Sequence, residues 1–476
     1  MNKSKHSAPA IALASAALLP LCGCSAKGAS PTASLFFIYL AAVVLIGVRC
    51  TRKIRSADDF YVAGRRAGTL NVAGSLLATV LGSSAILGSV DFACAKGWAG
   101  AWFMLCGALG LVGLFFMTKA LASFKVYNLP ELLGECYGPH VRRASSGVIA
   151  MAWLGVVGAQ LIGAGMISSA ICHIPYRSAV VLIALTLAFY TAVGGQFSII
   201  RTDLFQLAFV LAGIGGVFLM LYLKHPRLAA PPLISEKFTF FDLAVMIVGY
   251  SSTYLVGPDI YSRLFCARNL STARRSLLVT AAVLIPLAFV LAYIGIYGAN
   301  FHPEAGGGNV LFTIANAEFP RPVTLLLYFT ILSAVMSSAD TTLFTASGLL
   351  SQFFVPDSGD GARSIRSTRI CVVCVAVLAC GIALFSKSIL GVLLFALSVY
   401  SGAFVLPTAW VLVGLDPGRR HGVCAMIAGG TLSLAGKVVG GKTGNLLVLA
   451  AFASSLLILL AGEIDRRRRK KGEKMI

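Results

Sequence analysis

Long apolar runs alternate with short polar joints along almost the whole chain. After an opening stretch, hydrophobic segments fall at about 33–49, 69–94, 99–122, 145–172, 177–194, 198–223, 241–256, 274–299, 322–353, 367–386, 388–415, 420–436 and 443–462. Most reach the roughly 20 apolar residues that a helix needs to cross about 30 Å of hydrocarbon. The pattern predicts an all-α polytopic membrane protein with about 13 transmembrane helices and no linker long enough for a separate soluble domain. Two joints, around 224–240 and 300–321, are longer and carry Pro, Gly and charge.

The opening stretch has a different pattern. Lys3 and Lys5 precede an apolar run from Ala8 to about Leu21, and small residues follow. That order predicts a cleavable signal sequence over residues 1–24, with an uncleaved extra helix as the alternative. Leu21-Cys22-Gly23-Cys24 loosely resembles a lipoprotein cleavage box, in which Cys24 would be the lipidated residue. The membrane domain is then expected over 33–462, with a basic cytoplasmic tail at 463–476.

Two segments are interrupted. The second contains Gly74, Gly82 and Gly88 together with Ser83 and Ser84, and the seventh runs into Gly257-Pro258. Interruptions five segments apart suggest two broken helices at corresponding places of an inverted repeat. Unwound backbone at membrane depth is tolerated only where it lines a site. The expectation is a five-plus-five core over about 69–415, with its binding site at the midplane.

Composition agrees with the segment pattern: 58% of residues are hydrophobic and only 12% charged. The formal net charge of +21 does not point to nucleic acid, because the positives sit in short loops and at the C-terminus rather than on one face. Placing the loop after the first segment in the cytoplasm gives an excess of about threefold in Lys and Arg on the inside. The N-terminus after the signal is therefore expected outside and the C-terminus inside, in a bacterial-type inner membrane. The twelve cysteines are scattered, and Cys371-x-x-Cys374 lies in an apolar helix without a nearby His, so it reads as packing.

The richest chemistry lies at Ala334-Val335-Met336-Ser337-Ser338-Ala339-Asp340-Thr341-Thr342, in the middle of an apolar segment. An Asp there costs roughly 2.5–3.5 kcal/mol on insertion scales and needs a partner or a wet cavity. Ser337, Ser338, Asp340 and Thr341 fall largely on one helical face. Hard oxygens converging in this way suit a small hard cation. Close helix packing through small polar residues is the alternative.

Six motifs, in order, carry a family resemblance. Asp59-Phe60-Tyr61-Val62-Ala63-Gly64-Arg65 resembles the "DFxxAGR" entry of the solute:sodium symporter family. Ser75-Leu76-Leu77-Ala78-Thr79-Val80-Leu81-Gly82-Ser83 is similar to its first core helix, and Leu129 to Gly138 to its "PEFLxxRYG" loop. Gly194-Gly195-Gln196-Phe197 through Gln206 resembles "GGxxAVxxTDxxQ", Gly257-Pro258 through Arg263 resembles "GxPxxxxR", and the serine-rich stretch resembles "AAxMSTxDS".

The resemblance implies the inverted-repeat fold of the leucine transporter type and sodium-driven uptake by alternating access, with Na+ as coupling ion. It implies a sodium cage of the backbone carbonyls of Ala78, Leu81 and Ala334 and the hydroxyls of Ser337 and Ser338. In some members the residue matching Asp203 helps a second cation, together with those matching Asp340 and Thr341. Asp203 also reads as an interfacial acid paired with Arg201. Sugar-transporting relatives have amides where this chain has Val80 and Ala85, so a sugar is disfavoured against an amino acid, a carboxylate or a related metabolite. The presumed substrate lining is Ser83, Ser84, Trp153, Gln160, Tyr250, Tyr254 and Tyr400. No nucleophile–base pairing, metal cluster or nucleotide loop suggests an enzyme. A proton-coupled carrier using Asp203 and Asp340, and a sensor that keeps the fold without transporting, are the alternatives.

Overall fold

The computed structural model describes residues 31–473 apart from 125, 306–309, 356–360 and 387–388. The expected signal sequence, with Cys24, lies outside the described residues, as does the side chain of Ser83.

The described chain is helical throughout, and ten of its helices are long and apolar enough to cross a membrane. In chain order, α1 is Pro31–Thr51 and α2 Ala57–Val62, followed by α3 Thr69–Val80 and α4 Ser83–Lys96. Then come α5 Trp102–Ser123, α6 Leu129–Tyr137, α7 Pro139–Cys172 and α8 Tyr176–Lys224. The seventh expected segment resolves into α9 Phe240–Met246, a π turn at Ile247–Ser251, α10 Ser252–Val256 and α11 Pro258–Leu264. The remainder is α12 Leu270–Phe301, α13 Val310–Glu318, α14 Arg321–Phe354, α15 Gly361–Phe385, α16 Ile389–Leu412, α17 Arg419–Val439 and α18 Gly441–Glu473.

Both expected breaks are present. Between α3 and α4, Leu81 leaves the helical region and Gly82 is extended (φ −64°, ψ 166°). Between α10 and α11, Gly257 is extended (φ −57°, ψ 125°), and Pro258 then starts the next helix, where a missing N–H does no harm. The joints carry more order than the sequence suggested. The first motif folds as α2 with Ser56 capping it from in front, and the third as α6 with Asn128 as cap.

The fifth and sixth expected segments join into α8, a run of 49 residues. At about 1.5 Å per residue it is more than twice the bilayer thickness. Gly195 divides it, with φ 51° and ψ −150°, a conformation that a side chain would strain. The ring and carbonyl of Phe60 in α2 fill the place where a Cβ would stand.

At the centre is α14. Every residue from Phe329 to Ser347 is buried, so this helix faces protein on all sides rather than lipid. It packs chiefly against α7 and α8. Two of its hydroxyls are satisfied locally: Thr341 and Thr342 donate to the carbonyls of Ser337 and Ser338 one turn back.

Candidate functional site

The middle of α14 docks on the broken end of α3. The last four carbonyls of a helix lack partners within it. Here the Ser338 hydroxyl donates to the carbonyl of Thr79 at 3.1 Å. The packing leaves no slack, since a Cβ on Gly82 would lie 2.5 Å from Ser338 Oγ and 3.8 Å from Gln160 Nε2. Glycine is required at this break by space rather than by backbone angle. Ala78, Leu81, Ala334, Ser337 and Ser338 are all buried on the two elements that meet here. Carbonyls at the end of a broken helix beside hydroxyls are the kind of neutral oxygen donors that suit a monovalent hard cation.

A charged cluster lies directly beside this set. Asp203, in the second half of α8, accepts hydrogen bonds from the hydroxyls of Ser75 and Ser337. Its positive partner is Arg263 at 3.2 Å, with the two side chains 1% and 0% exposed. The expected pairing with Arg201 does not occur, because Arg201 is exposed on the opposite face of α8 and lines a cavity at the far end of α1 and α2. Nor is Arg263 the loop cation that its sequence position suggests. It lies in α11 and also reaches Thr341, the carbonyl of Ser75 at 3.4 Å and that of Asp259 at 3.2 Å. One buried guanidinium thus ties both broken helices to α8 and α14.

Asp340 belongs to the same cluster without touching a cation. It accepts from Tyr190 at 2.8 Å and Thr202 at 3.3 Å, and Thr341 Oγ1 lies 3.2 Å from its other oxygen. Asp203, Asp340 and Thr341 thus lie in one cluster, with Arg263 joining them.

A cavity of about 110 Å³ opens on the opposite side of Ser338. Ser84, Trp153, Gln160, Tyr250 and Tyr254 of the proposed substrate lining all border it. Val80, Ala85, Thr79, Gly82, Ser338 and Thr342 line it as well, so it shares a wall with the oxygen set. Tyr400 stands behind this lining. Its hydroxyl bonds the carbonyl of Val256, and its ring packs edge-on against Trp153 at 4.8 Å. The sequence reading missed Asp259, Thr253 and Ile260, which complete the lining from the second break. An acid next to Gly257-Pro258 was the available signal for Asp259.

Comparison with known proteins finds similarity to sodium-coupled transporters. Residues 60–225 match the model of the Sodium:solute symporter family. A curated relative, the Sodium/glucose cotransporter of Vibrio parahaemolyticus, is 22% identical over 407 residues, covering 73% of this chain and 74% of that protein. Among solved structures, a Na+-coupled sialic acid symporter in a substrate-bound, outward-open state superposes with a TM-score of 0.73 at 19% identity, covering 91% of this chain and 96% of that one. A transporter of the nucleobase-cation-symport-1 family, in a closed conformation with bromovinylhydantoin bound, superposes with a TM-score of 0.59 at 14% identity, covering 87% and 95%.

Proposed function

We infer that this chain, recognised as a sodium:solute symporter by its motifs and by the match over residues 60–225, is a sodium-coupled secondary active carrier of a small organic solute. The observation that carries the reading is the contact of Ser338 with Thr79 at the helix break, in the wall of the same cavity that would hold the solute.

The chemistry follows from the donor set. Sodium is a substrate here, held by the carbonyls of Ala78, Leu81 and Ala334 and the hydroxyls of Ser337 and Ser338. Each hydroxyl already gives its proton away, Ser337 to Asp203 and Ser338 to Thr79, which leaves oxygen lone pairs for a cation. The cage carries no formal charge of its own, so it can be filled and emptied without a deep trap. Because Ser338 belongs to both the cage and the cavity wall, with Gly82 packed against it, sodium and solute each change the other's seat. That differential contact is what coupling requires. The broken helices α3/α4 and α10/α11 supply the joints across which one half of the fold rocks on the other.

Val80 and Ala85 line the cavity where sugar-carrying relatives have amides, which supports an amino acid, a carboxylate or a related metabolite over a sugar. The charge pattern of the loops supports an outside N-terminus, an inside C-terminus and import. Asp203, Asp340 and Thr341 are proposed as a second position for a cation. Arg263 already stands beside two of them, so an entering ion shares or displaces the guanidinium. A proton-coupled reading rests on Asp340, whose three hydroxyl neighbours would suit a carboxyl that exchanges a proton.

Uptake into proteoliposomes from a panel of labelled metabolites, with and without an inward sodium gradient, tests the reading. A sodium-dependent signal for at least one small organic solute is expected. Uptake that follows a proton gradient and ignores sodium would overturn it.

A further inference from the structure

Three aspartates lie around the two helix breaks, and their surroundings differ. Asp203 is paired with Arg263 and bonded by two serines. Asp340 is held by tyrosine and threonine hydroxyls. Asp259, in the first turn of α11, accepts the backbone N–H groups of Asp259 and Ile260 but has no ion pair within salt-bridge distance and no side-chain donor among the described residues. Its carboxylate folds back over the second break, with Oδ1 3.1 Å from where a Cβ of Gly257 would stand, and it lines the central cavity. An acid at this depth is costly unless something positive meets it. The neighbouring guanidinium is committed elsewhere: Arg263 bonds the carbonyl of Asp259, not its carboxylate.

The rest of the cavity narrows the choice of cation. Trp153, Tyr250 and Tyr254 line it, and the two tyrosine rings pack with centroids 5.3 Å apart. Aromatic faces attract an organic cation through the ring quadrupole but supply no hard oxygen ligands. The hydroxyls of the wall, on Thr79, Ser84, Thr253, Ser338 and Thr342, would serve a small metal ion or an organic cation alike, but only an ammonium group uses the ring faces together with the carboxylate. The indole N–H of Trp153 is also buried without a hydrogen-bond partner among the described residues. A ligand oxygen would satisfy it.

We propose that Asp259 is the specificity-determining residue of the central cavity and that the transported solute carries an ammonium group, together with an oxygen acceptor for Trp153. This rests on the symporter reading and names the substrate class of that same site. The carboxylate ion-pairs with the ammonium at the second helix break while sodium sits at the first. Both breaks are then bridged by ligands only when both substrates are bound.

The test is thermal stabilisation of the purified full-length protein in detergent. Sodium alone should raise the melting temperature, and this arm is independent of the solute. If it fails, the symporter reading fails. With sodium present, glycine, β-alanine, glycine betaine and choline are compared with 3,3-dimethylbutanoate and 3,3-dimethylbutan-1-ol, which match betaine and choline in shape but lack the positive charge. At least one ammonium compound should stabilise, and its uncharged-centre match should not. Asp259→Asn should weaken that compound by roughly tenfold or more, since a charge-assisted contact is lost. Asp259→Glu should retain most of the effect, and both variants should keep the sodium response, which shows that they are folded. The inference is overturned, with the symporter reading intact, if sodium stabilises and no ammonium compound does. Equal stabilisation by the carbon matches would overturn it too, as would an Asp259→Asn variant whose change is in the sodium response alone.

Discussion

The hydroxyl of Ser338 donates to the carbonyl of Thr79 across 259 residues of sequence, fastening the centre of one buried helix to the frayed end of another. Removing that hydroxyl leaves the packing nearly unchanged and takes one oxygen from the proposed cage. Ser338→Ala should lower apparent sodium affinity about tenfold or more, because a ligand facing a charge is worth about 1.5–3 kcal/mol. Ser337→Ala should do the same. Sodium activation curves of uptake that coincide with the parent's in both variants would return the stretch to a packing role.

Gly82 offers a steric test of the same junction. Its backbone angles suit any residue, but a methyl group there would meet Ser338 Oγ at 2.5 Å and Ser338 Cβ at 3.3 Å. Gly82→Ala should therefore push α14 off the break and depress sodium-dependent uptake. Gly216, with nothing within 4 Å of its added Cβ, is the matched control. Gly216→Ala should leave uptake at the parental level and gain a few tenths of a kcal/mol up to about 1 kcal/mol in stability.

Arg263 and Asp203 form a pair in which neither group reaches solvent. Breaking such a pair from one side costs about 3–5 kcal/mol, since a buried charge is left uncompensated. Arg263→Gln should lower the melting temperature sharply, and adding Asp203→Asn should recover part of the loss. A double variant no more stable than Arg263→Gln alone would mean that the guanidinium acts through its carbonyl contacts.

For the second cation position the readout is charge rather than stability. Asp340→Asn should reduce the number of charges moved per solute and leave the Ser337–Ser338 cage working. Each charge crossing the membrane is worth about 2.3 kcal/mol per 100 mV, so a reversal-potential measurement resolves the difference. A ratio equal to the parent's would identify Asp340 as a fixed acceptor for Tyr190 and Thr202.

At the C-terminal end of α8, Lys224 meets Glu318 at 2.8 Å and His302 meets the same acid at 2.9 Å. The Lys224 hydrogen bond holds the Glu318 carboxyl below its ordinary range. A lowered acid stabilises the fold fully above its unfolded value, about pH 4.3, and loses that contribution as pH falls through the folded value. Between about pH 5 and about pH 3 the parent should lose more stability than Lys224→Met. Parallel melting curves for the two across that window would show that the contact is inert.

Much of this architecture can be read from residue order. Gly82 and Gly257-Pro258 mark the two breaks because glycine and proline are poor helix interiors, and Ser337-Ser338 marks the helix that docks on one of them. What stayed hidden depended on depth and on distance in sequence. Arg263 looks like one more loop cation because it follows a helix break, and nothing local reveals that α11 carries it inward to Asp203. Arg201, two residues from Asp203, was the obvious partner by proximity and faces the other way, since a helix turns about 200° in two steps. The small helices α2 and α6 were missed because their apolar faces are short. They are visible only through their caps, Ser56 and Asn128.

The kink at Gly195 has a mechanical consequence. Two helical limbs meet there with no connecting loop, and Phe60 is wedged into the corner. A loop would let the two limbs drift apart at little cost. A single-residue corner makes them a bell-crank instead: displacement of one limb must appear as rotation of the other, with α2 as the bearing. Since Asp203 rides on one limb and Tyr190 on the other, strain at the ion cluster is felt on both arms of that lever at once.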